Sequence, residues 1–105
     1  MADNRKYYYL KLKENFFDSD SIVLLEDMKD GILYSNILLK LYLKSLKNGG
    51  RLQLDEHIPY TAQMIATLTR HQIGTVERAL AIFQQLGLVE QIDCGLISMT
   101  DIELM

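Results

Sequence analysis

The segment 61–99 constrains the fold most strongly, because it orders a helix, a turn, a second helix, a glycine and a hairpin. A threonine N-cap opens the predicted first helix, 61–69. Apolar residues at helical spacing predict the second helix, 75–86, which Gly87 ends. Two short apolar runs then flank turn-forming residues in 88–99. This order is that of a winged helix-turn-helix, whose second helix usually enters the DNA major groove.

A strand and two helices are predicted upstream of this segment. The tyrosine-rich run 7–13 alternates in polarity, which favours a strand or an extended arm. The polar cluster 18–21 is typical of a helix start, and we expect that helix to end near Gly31. A longer helix, 34–47, is expected to end at the glycines that follow it. Its predicted core stripe consists of Ile37, Leu38, Leu41, Tyr42 and Leu46.

A third strand is predicted at 51–54, where alternation would let it pair with the wing. We interpret 55–60 as a loop, since Pro59 lacks the N–H that a strand ladder requires. The predicted fold class is α+β, mostly α: a winged helix-turn-helix with an extra N-terminal strand and helices and a small antiparallel β-sheet. A chain of 105 residues fits one domain over 1–105.

The motifs of common enzymes and metal sites are missing from the sequence. His57 and His71 are fourteen positions apart without paired cysteines, and we interpret both as surface loop residues. The single cysteine, Cys94, lies at the predicted hairpin tip, which permits no internal disulfide and favours a reducing cytoplasm. No apolar run approaches the roughly 18 residues of a membrane span. We therefore expect a cytoplasmic protein that is not an enzyme and needs no cofactor or metal.

Charge is divided unevenly between the two halves of the chain. Residues 1–51 hold nine lysines and arginines against seven acidic residues, whereas residues 52–105 hold two against seven. DNA-binding domains usually show a basic footprint. The predicted second helix carries little positive charge, so most of any such footprint is expected in the first half.

Several segments together resemble the N-terminal domain of phage replisome organiser proteins. They are 6–12, Phe16-Phe17, the 34–50 helix with its glycines, Ile65-Ala66, 75–80 and 86–89. Those proteins are similar in domain plan to the DnaD-type primosomal replication proteins of Gram-positive bacteria. The resemblance spans nearly the whole chain. It implies a winged helix that organises replication initiation on phage DNA inside the bacterial host, through DNA contact and self-assembly. It also implies that further segments follow, so we expect this chain to be an N-terminal fragment.

The DNA-binding candidates lie in two groups. The first surrounds the turn between the predicted helices, where free N–H groups and the helix dipole favour phosphate. The second is a lysine ridge at i, i+4 and i+7, for which a solvated helix face is the alternative. For Arg78 the alternative is an ion pair with an acidic neighbour. The candidates are Arg70, His71, Gln72, Thr75 and Arg78 in the first group and Lys40, Lys44 and Lys47 in the second.

The second helix also presents a weakly charged outer face, which costs less to desolvate against a protein than a lysine-rich one. The tyrosine-rich strand is a second candidate contact, because it could extend a neighbour's sheet. The protein-interface candidates are Tyr7, Tyr9, Ala81, Ile82 and Gln85.

The preferred hypothesis is a DNA-binding and assembly domain of a replication-initiation protein. Its expected partners are duplex or single-stranded DNA, bound weakly by the isolated domain, further copies of the chain, and replication proteins such as a helicase loader. The alternatives are a protein-interaction module that keeps the winged-helix shape with little DNA affinity, and a winged-helix transcriptional regulator.

Overall fold

The structure is a computed structural model, and it describes residues 8–55, 57–91 and 96–99. Within these residues four α-helices pack with one small antiparallel sheet, so the fold is mixed α+β and mostly helical, as predicted. The helices are α1 (Asp20–Asp27), α2 (Gly31–Ser45), α3 (Ala62–Thr69) and α4 (Ile73–Gln85). The strands are β1 (Arg51–Asp55), β2 (Ile58–Pro59), β3 (Val89–Gln91) and β4 (Ile97–Met99). A 3-10 turn, Leu46–Asn48, follows α2, and another, Phe16–Asp18, precedes α1.

The core lies where α2 meets α4 and the sheet. Four of the five predicted core residues of α2 are buried, and Leu46 is half-buried. From α4 the apolar stripe contributes Val76, Ala79, Leu80 and Phe83. Phe83 is fully buried, so the side of α4 that carries it faces the core and the opposite side faces solvent.

The wing forms as predicted. Strand β3 pairs antiparallel with β4, and β4 pairs antiparallel with β1, so the sheet order is β2-β1-β4-β3. Gly87 has a φ of 75°, a left-handed conformation that lets the chain leave α4 and enter β3. The predicted hairpin tip, including Cys94, lies outside the described residues.

The corner between the two upstream helices lies earlier in the chain than the sequence predicts. Helix α1 ends at Asp27 and not near Gly31, which instead opens α2. Asp30 makes the turn with a φ of 64°, a conformation that aspartate tolerates better than most residues. Gly31 is buried against α1: an added Cβ would lie 2.6 Å from the carbonyl oxygen of Glu26. The glycine is therefore needed for close approach and does not end a helix.

Residues 8–13 form no strand and have no ladder partner among the described residues, so of the two predicted forms the strand is wrong there. Leu10 packs against the core, whereas Tyr8, Tyr9 and Leu12 are exposed. Alternation predicts which side chains could share a face, but a strand also needs a neighbouring edge to bond with.

The loop predicted at 55–60 contains the short strand β2, in which Pro59 is aligned with Gln53 of β1. Proline is tolerated there because β2 lies at the edge of the sheet, where a strand bonds on one side alone. The prediction of an uninterrupted loop was therefore wrong for Ile58 and Pro59.

Candidate nucleic-acid interface

The turn between α3 and α4 is short and tightly closed. Thr61 caps the start of α3, as predicted: its side-chain oxygen accepts a 3.1 Å hydrogen bond from the Met64 amide. At the other end Arg70 has a φ of 62°, and the amide of His71 donates to the carbonyl of Ala66 at 3.1 Å. This left-handed cap reverses the chain within three residues, so that α4 begins at Ile73.

Helix α4 therefore starts two residues earlier than predicted, and Gly74 lies inside it rather than in the turn. Its N-cap residue, Gln72, makes no side-chain hydrogen bond to the first turn. The first intrahelical bond runs from the Val76 amide to the Gln72 carbonyl. The amides of 73–75 consequently precede the intrahelical ladder, and they form the positive end of the helix dipole.

Helix α2 holds this turn through two polar contacts. The ammonium of Lys40 donates to the carbonyl oxygen of Thr69 at 2.7 Å. One turn earlier on α2, the side-chain oxygen of Asn36 lies 2.8 Å from Nε2 of His71. Because an amide oxygen is an acceptor, that nitrogen carries the hydrogen and donates it. We call these four residues the turn clamp.

The turn clamp also sets the charge state of His71. Burial lowers the pKa of its imidazole below the ordinary value, and the positive charge of Lys40 lowers it further. His71 is therefore held in the neutral form near neutral pH. It sits in the turn as a hydrogen-bond donor to Asn36 and not as a cation aimed at solvent.

Arg78 is held over the first turn of α4. Its Nε donates to the hydroxyl of Tyr34 at 3.4 Å, and its Nη2 donates to Oγ1 of Thr75 at 3.4 Å. Its Nη1 lies 3.5 Å from the point that a Cβ on Gly74 would occupy. These hydroxyl partners are neutral, in contrast to the acidic neighbour considered from the sequence.

The eight DNA-binding candidates differ in whether their side chains are bonded or buried within the fold or exposed to solvent. Lys40 and His71 belong to the turn clamp, and Thr75 is buried beneath Arg78. Exposed candidates lie in the turn at Arg70 and Gln72 and on the outer side of α2 and its 3-10 extension at Lys44 and Lys47. The lysine ridge is therefore not one uniform track, since its first member is bonded to another helix.

The protein-interface candidates also differ in how exposed their side chains are. Ala81 and Gln85 are exposed on α4, whereas Ile82 is half-buried and packs against the core. Tyr9 is 77% exposed, and Tyr7 lies outside the described residues. Among the aliphatic side chains of the described residues, the most exposed is that of Ile32 on α2, at 67%.

Tyr34 and Asn36 carry contacts that sequence reasoning missed. From the sequence, Tyr34 is only the first residue of a predicted helix, and Asn36 has no predicted role. One signal was available for Asn36, a polar side chain four residues before Lys40 and therefore on the same face of a helix. No local signal existed for Tyr34, because its partner is 44 residues away.

The described part of the chain lacks what a metal site or a membrane span requires, but it contains an apolar groove. No three His, Cys, Asp or Glu side chains among residues 8–55, 57–91 and 96–99 are placed to hold a metal ion. An apolar groove of about 260 Å³ lies between β1 and α3, lined by Leu54, Tyr60, Gln63, Met64, Thr67 and Leu68. Within the described ranges, no helix has the length and apolar character required to cross a bilayer.

Comparison with known proteins identifies a matching family. A family model described as the N-terminal phage replisome organiser matches residues 9–105, nearly the whole chain. Neither the curated proteins nor the solved structures gave a match.

Proposed function

The chain belongs to the N-terminal phage replisome organiser family, and from that premise we propose that it contacts DNA and assembles during replication initiation. A replication-related role follows from the family. The DNA contact, the assembly and the residues responsible are our proposal. We further propose that the domain is not an enzyme and works in the cytoplasm of the bacterial host.

The observation that carries the DNA proposal is the first turn of α4. The N-cap side chain of Gln72 makes no hydrogen bond to this turn, Arg78 lies over it, and Arg70 is exposed two residues before the N-cap. Backbone amides at a helix N-terminus bind phosphate oxygens, and arginine adds charge and paired donors. Gly74 leaves this turn without a side chain of its own, which allows a phosphate to approach the backbone closely.

The wing contributes no positive charge to this interface. Segment 88–99 contains no lysine or arginine, and Glu90 is exposed on β3. DNA contact is therefore proposed for the turn, with exposed Lys44 and Lys47 as secondary phosphate contacts. Because so few charges are engaged, the isolated domain should bind weakly and with a shallow salt dependence.

The test is a fluorescence-anisotropy titration of duplex and single-stranded DNA between about 50 and 200 mM salt. The double variant Arg70→Ala/Arg78→Ala should bind more weakly, with a salt slope about 2 units shallower. Arg51→Ala is the matched control, since it removes an exposed arginine from β1 and should leave most of the affinity. If the wild-type chain shows no affinity for either DNA at low salt, the DNA proposal fails.

A second candidate function, self-association with little DNA affinity, is favoured by the exposed apolar side chains of the first two helices. Val23 and Leu24 on α1 are 51% and 56% exposed, and Ile32 on α2 is more exposed still. Exposed apolar side chains mark a contact with another protein when they form a contiguous patch, and these three lie on two helices that pack against each other. Self-association would also strengthen weak DNA binding, because linked copies raise the effective concentration of each site.

Sedimentation equilibrium over a wide concentration range tests this second function. Ile32→Glu should dissociate an assembly that uses α2, and Ala81→Glu tests the outer face of α4 independently. A wild-type monomer at the highest concentration would rule out self-association.

A further inference from the structure

Tyr34 is the point where α2 touches the proposed DNA contact. The residue is buried in the first turn of α2, and its hydroxyl accepts the hydrogen bond from Nε of Arg78. This oxygen is aimed at a charged side chain that belongs to the helix-turn-helix. A buried tyrosine usually has a partner for its hydroxyl, and here the partner is a cation near the surface.

The two bonds of Arg78 fix both the place and the plane of its guanidinium group. Nε is held by Tyr34, and Nη2 is held by Thr75. A guanidinium is planar and has five N–H donors, so two bonds fix its orientation and leave three donors unused by these partners. An arginine ordered in advance loses less conformational entropy when it binds a phosphate or a base edge.

The partners also preserve the charge of Arg78. The hydroxyls of Tyr34 and Thr75 are neutral acceptors, so neither cancels the positive charge as a carboxylate would. The nearest acidic residue in sequence, Glu77, is exposed on the same helix, yet the guanidinium is bonded toward α2. The arrangement orients a cation and keeps it available to an anionic partner.

We propose that Tyr34 is a positioning residue, whose hydroxyl orients Arg78 for contact with DNA. The inference rests on the function proposed above. Tyr34 itself need not touch DNA, since it is buried and acts through Arg78. Because the bond between the two is long, at 3.4 Å, its direct contribution to the stability of the fold should be small.

The experiment compares the wild-type chain with Tyr34→Phe, Arg78→Ala and the double variant. Each protein is titrated with the same duplex over a series of salt concentrations. Tyr60→Phe is the matched control, because it removes the same hydroxyl from a half-buried tyrosine that lines the α3 groove. Thermal melting of every variant reports on the fold, and proton–nitrogen NMR reports on the Nε–H of Arg78 without any DNA.

Tyr34→Phe should weaken DNA binding by about threefold to tenfold, the range for losing one modest hydrogen bond. The salt slope should stay at the wild-type value, because no charge has been removed. The phenylalanine change should have no further effect when Arg78 is already alanine. The Nε–H resonance of Arg78 should shift in Tyr34→Phe and stay in place in Tyr60→Phe.

Three outcomes overturn the proposal. Wild-type affinity in Tyr34→Phe, with DNA binding that still depends on Arg78, shows that the hydroxyl does not position the arginine. An equal loss with and without Arg78 shows that Tyr34 acts through the fold. Absence of DNA binding by the wild-type chain overturns the proposed function as well. The NMR shift then still reports whether the Tyr34–Arg78 bond exists.

Discussion

The ammonium group of Lys40 on α2 donates a 2.7 Å hydrogen bond to the carbonyl oxygen of Thr69, the last residue of α3. A lysine that appears from spacing alone to belong to a basic ridge thus supports the end of another helix. The carbonyls at a helix C-terminus lack partners within the helix and carry its negative dipole end. Lys40 therefore fixes the point from which the chain turns toward α4.

We expect Lys40→Met to lower the free energy of unfolding by about 1 kcal/mol, because it removes a partly exposed, charge-assisted hydrogen bond and keeps most of the aliphatic chain. Urea denaturation measures the change. Lys44→Met, at an exposed position one turn later on α2, is the control and should change stability by less than about 0.5 kcal/mol. Equal effects in the two variants would show that the Thr69 contact contributes nothing specific.

The lowered pKa of His71 makes the stability of the domain depend on pH. The unfolded chain binds a proton near its ordinary pKa of about 6.5, whereas the folded chain binds it at lower pH. The stability that neutral His71 contributes is complete above that ordinary value. It is lost as the pH falls through about 6.5 toward the folded pKa.

Thermal melts of the wild-type chain and His71→Gln between about pH 5 and 8 measure this dependence, and the stability advantage of the wild-type chain over His71→Gln should shrink on acidification. NMR titration of Lys40→Met should show a higher pKa for His71, since one of the two causes of the shift has been removed. An unchanged pKa in that variant would leave burial as the sole cause.

We expect Arg70 to lower the stability of the fold and to raise the affinity for DNA. Its left-handed backbone costs a non-glycine residue about 1–2 kcal/mol, while glycine has no side chain to strain. After the higher entropy of unfolded glycine is counted, Arg70→Gly should stabilise the fold by about 0.5–1 kcal/mol. DNA affinity should fall and the salt slope should flatten by about 1 unit. Stabilisation with unchanged DNA binding would remove Arg70 from the interface.

Gly74→Ala should keep or raise the stability of the fold and lower its affinity for DNA. An added Cβ would lie in ordinary contact, 3.5 Å from Nη1 of Arg78, and alanine suits a helix better than glycine by up to about 1 kcal/mol. The variant should melt at or above the wild-type temperature. It should bind DNA more weakly, because the methyl group covers the backbone where a phosphate is proposed to approach. Full affinity in this variant would place the phosphate elsewhere.

Gly31→Ala is expected to have the opposite effect on the fold. Its Cβ would lie 2.6 Å from the carbonyl oxygen of Glu26, so the corner between α1 and α2 would have to open. Overpacking of this kind costs about 1–3 kcal/mol. Chemical denaturation of Gly31→Ala beside Gly74→Ala tests the two glycines as a pair, and similar stabilities would contradict the close approach seen at Gly31.

Residues whose roles are local could be predicted from the sequence. Thr61 caps α3 because its own chain supplies the amide of Met64 three residues later. Gly87 ends α4 because the left-handed conformation is a property of glycine itself. The inward stripe of α4 follows from helical periodicity, which needs no knowledge of what it packs against.

Residues whose roles depend on a distant partner could not be predicted in this way. Lys40 bonds to a carbonyl 29 residues away, so its position in a lysine series said nothing about its role. Gly31 resembled a helix end because glycine permits a stop, although here it permits close packing of two helices. Segment 8–13 has the pattern of a strand, but no described strand lies beside it to bond with.

The edge strand β2 limits how copies of this domain could associate through their sheets. It is two residues long and contains Pro59, so among the described strands it offers almost no backbone for another strand to bind. The opposite edge of the sheet, β3, keeps an ordinary backbone without proline. Of the two edges that the described strands form, the β2 edge is blocked and the β3 edge has no such block. Two copies could therefore join through their β3 edges about a twofold axis, whereas the β2 edge offers no strand through which further copies would extend the sheet into a fibre.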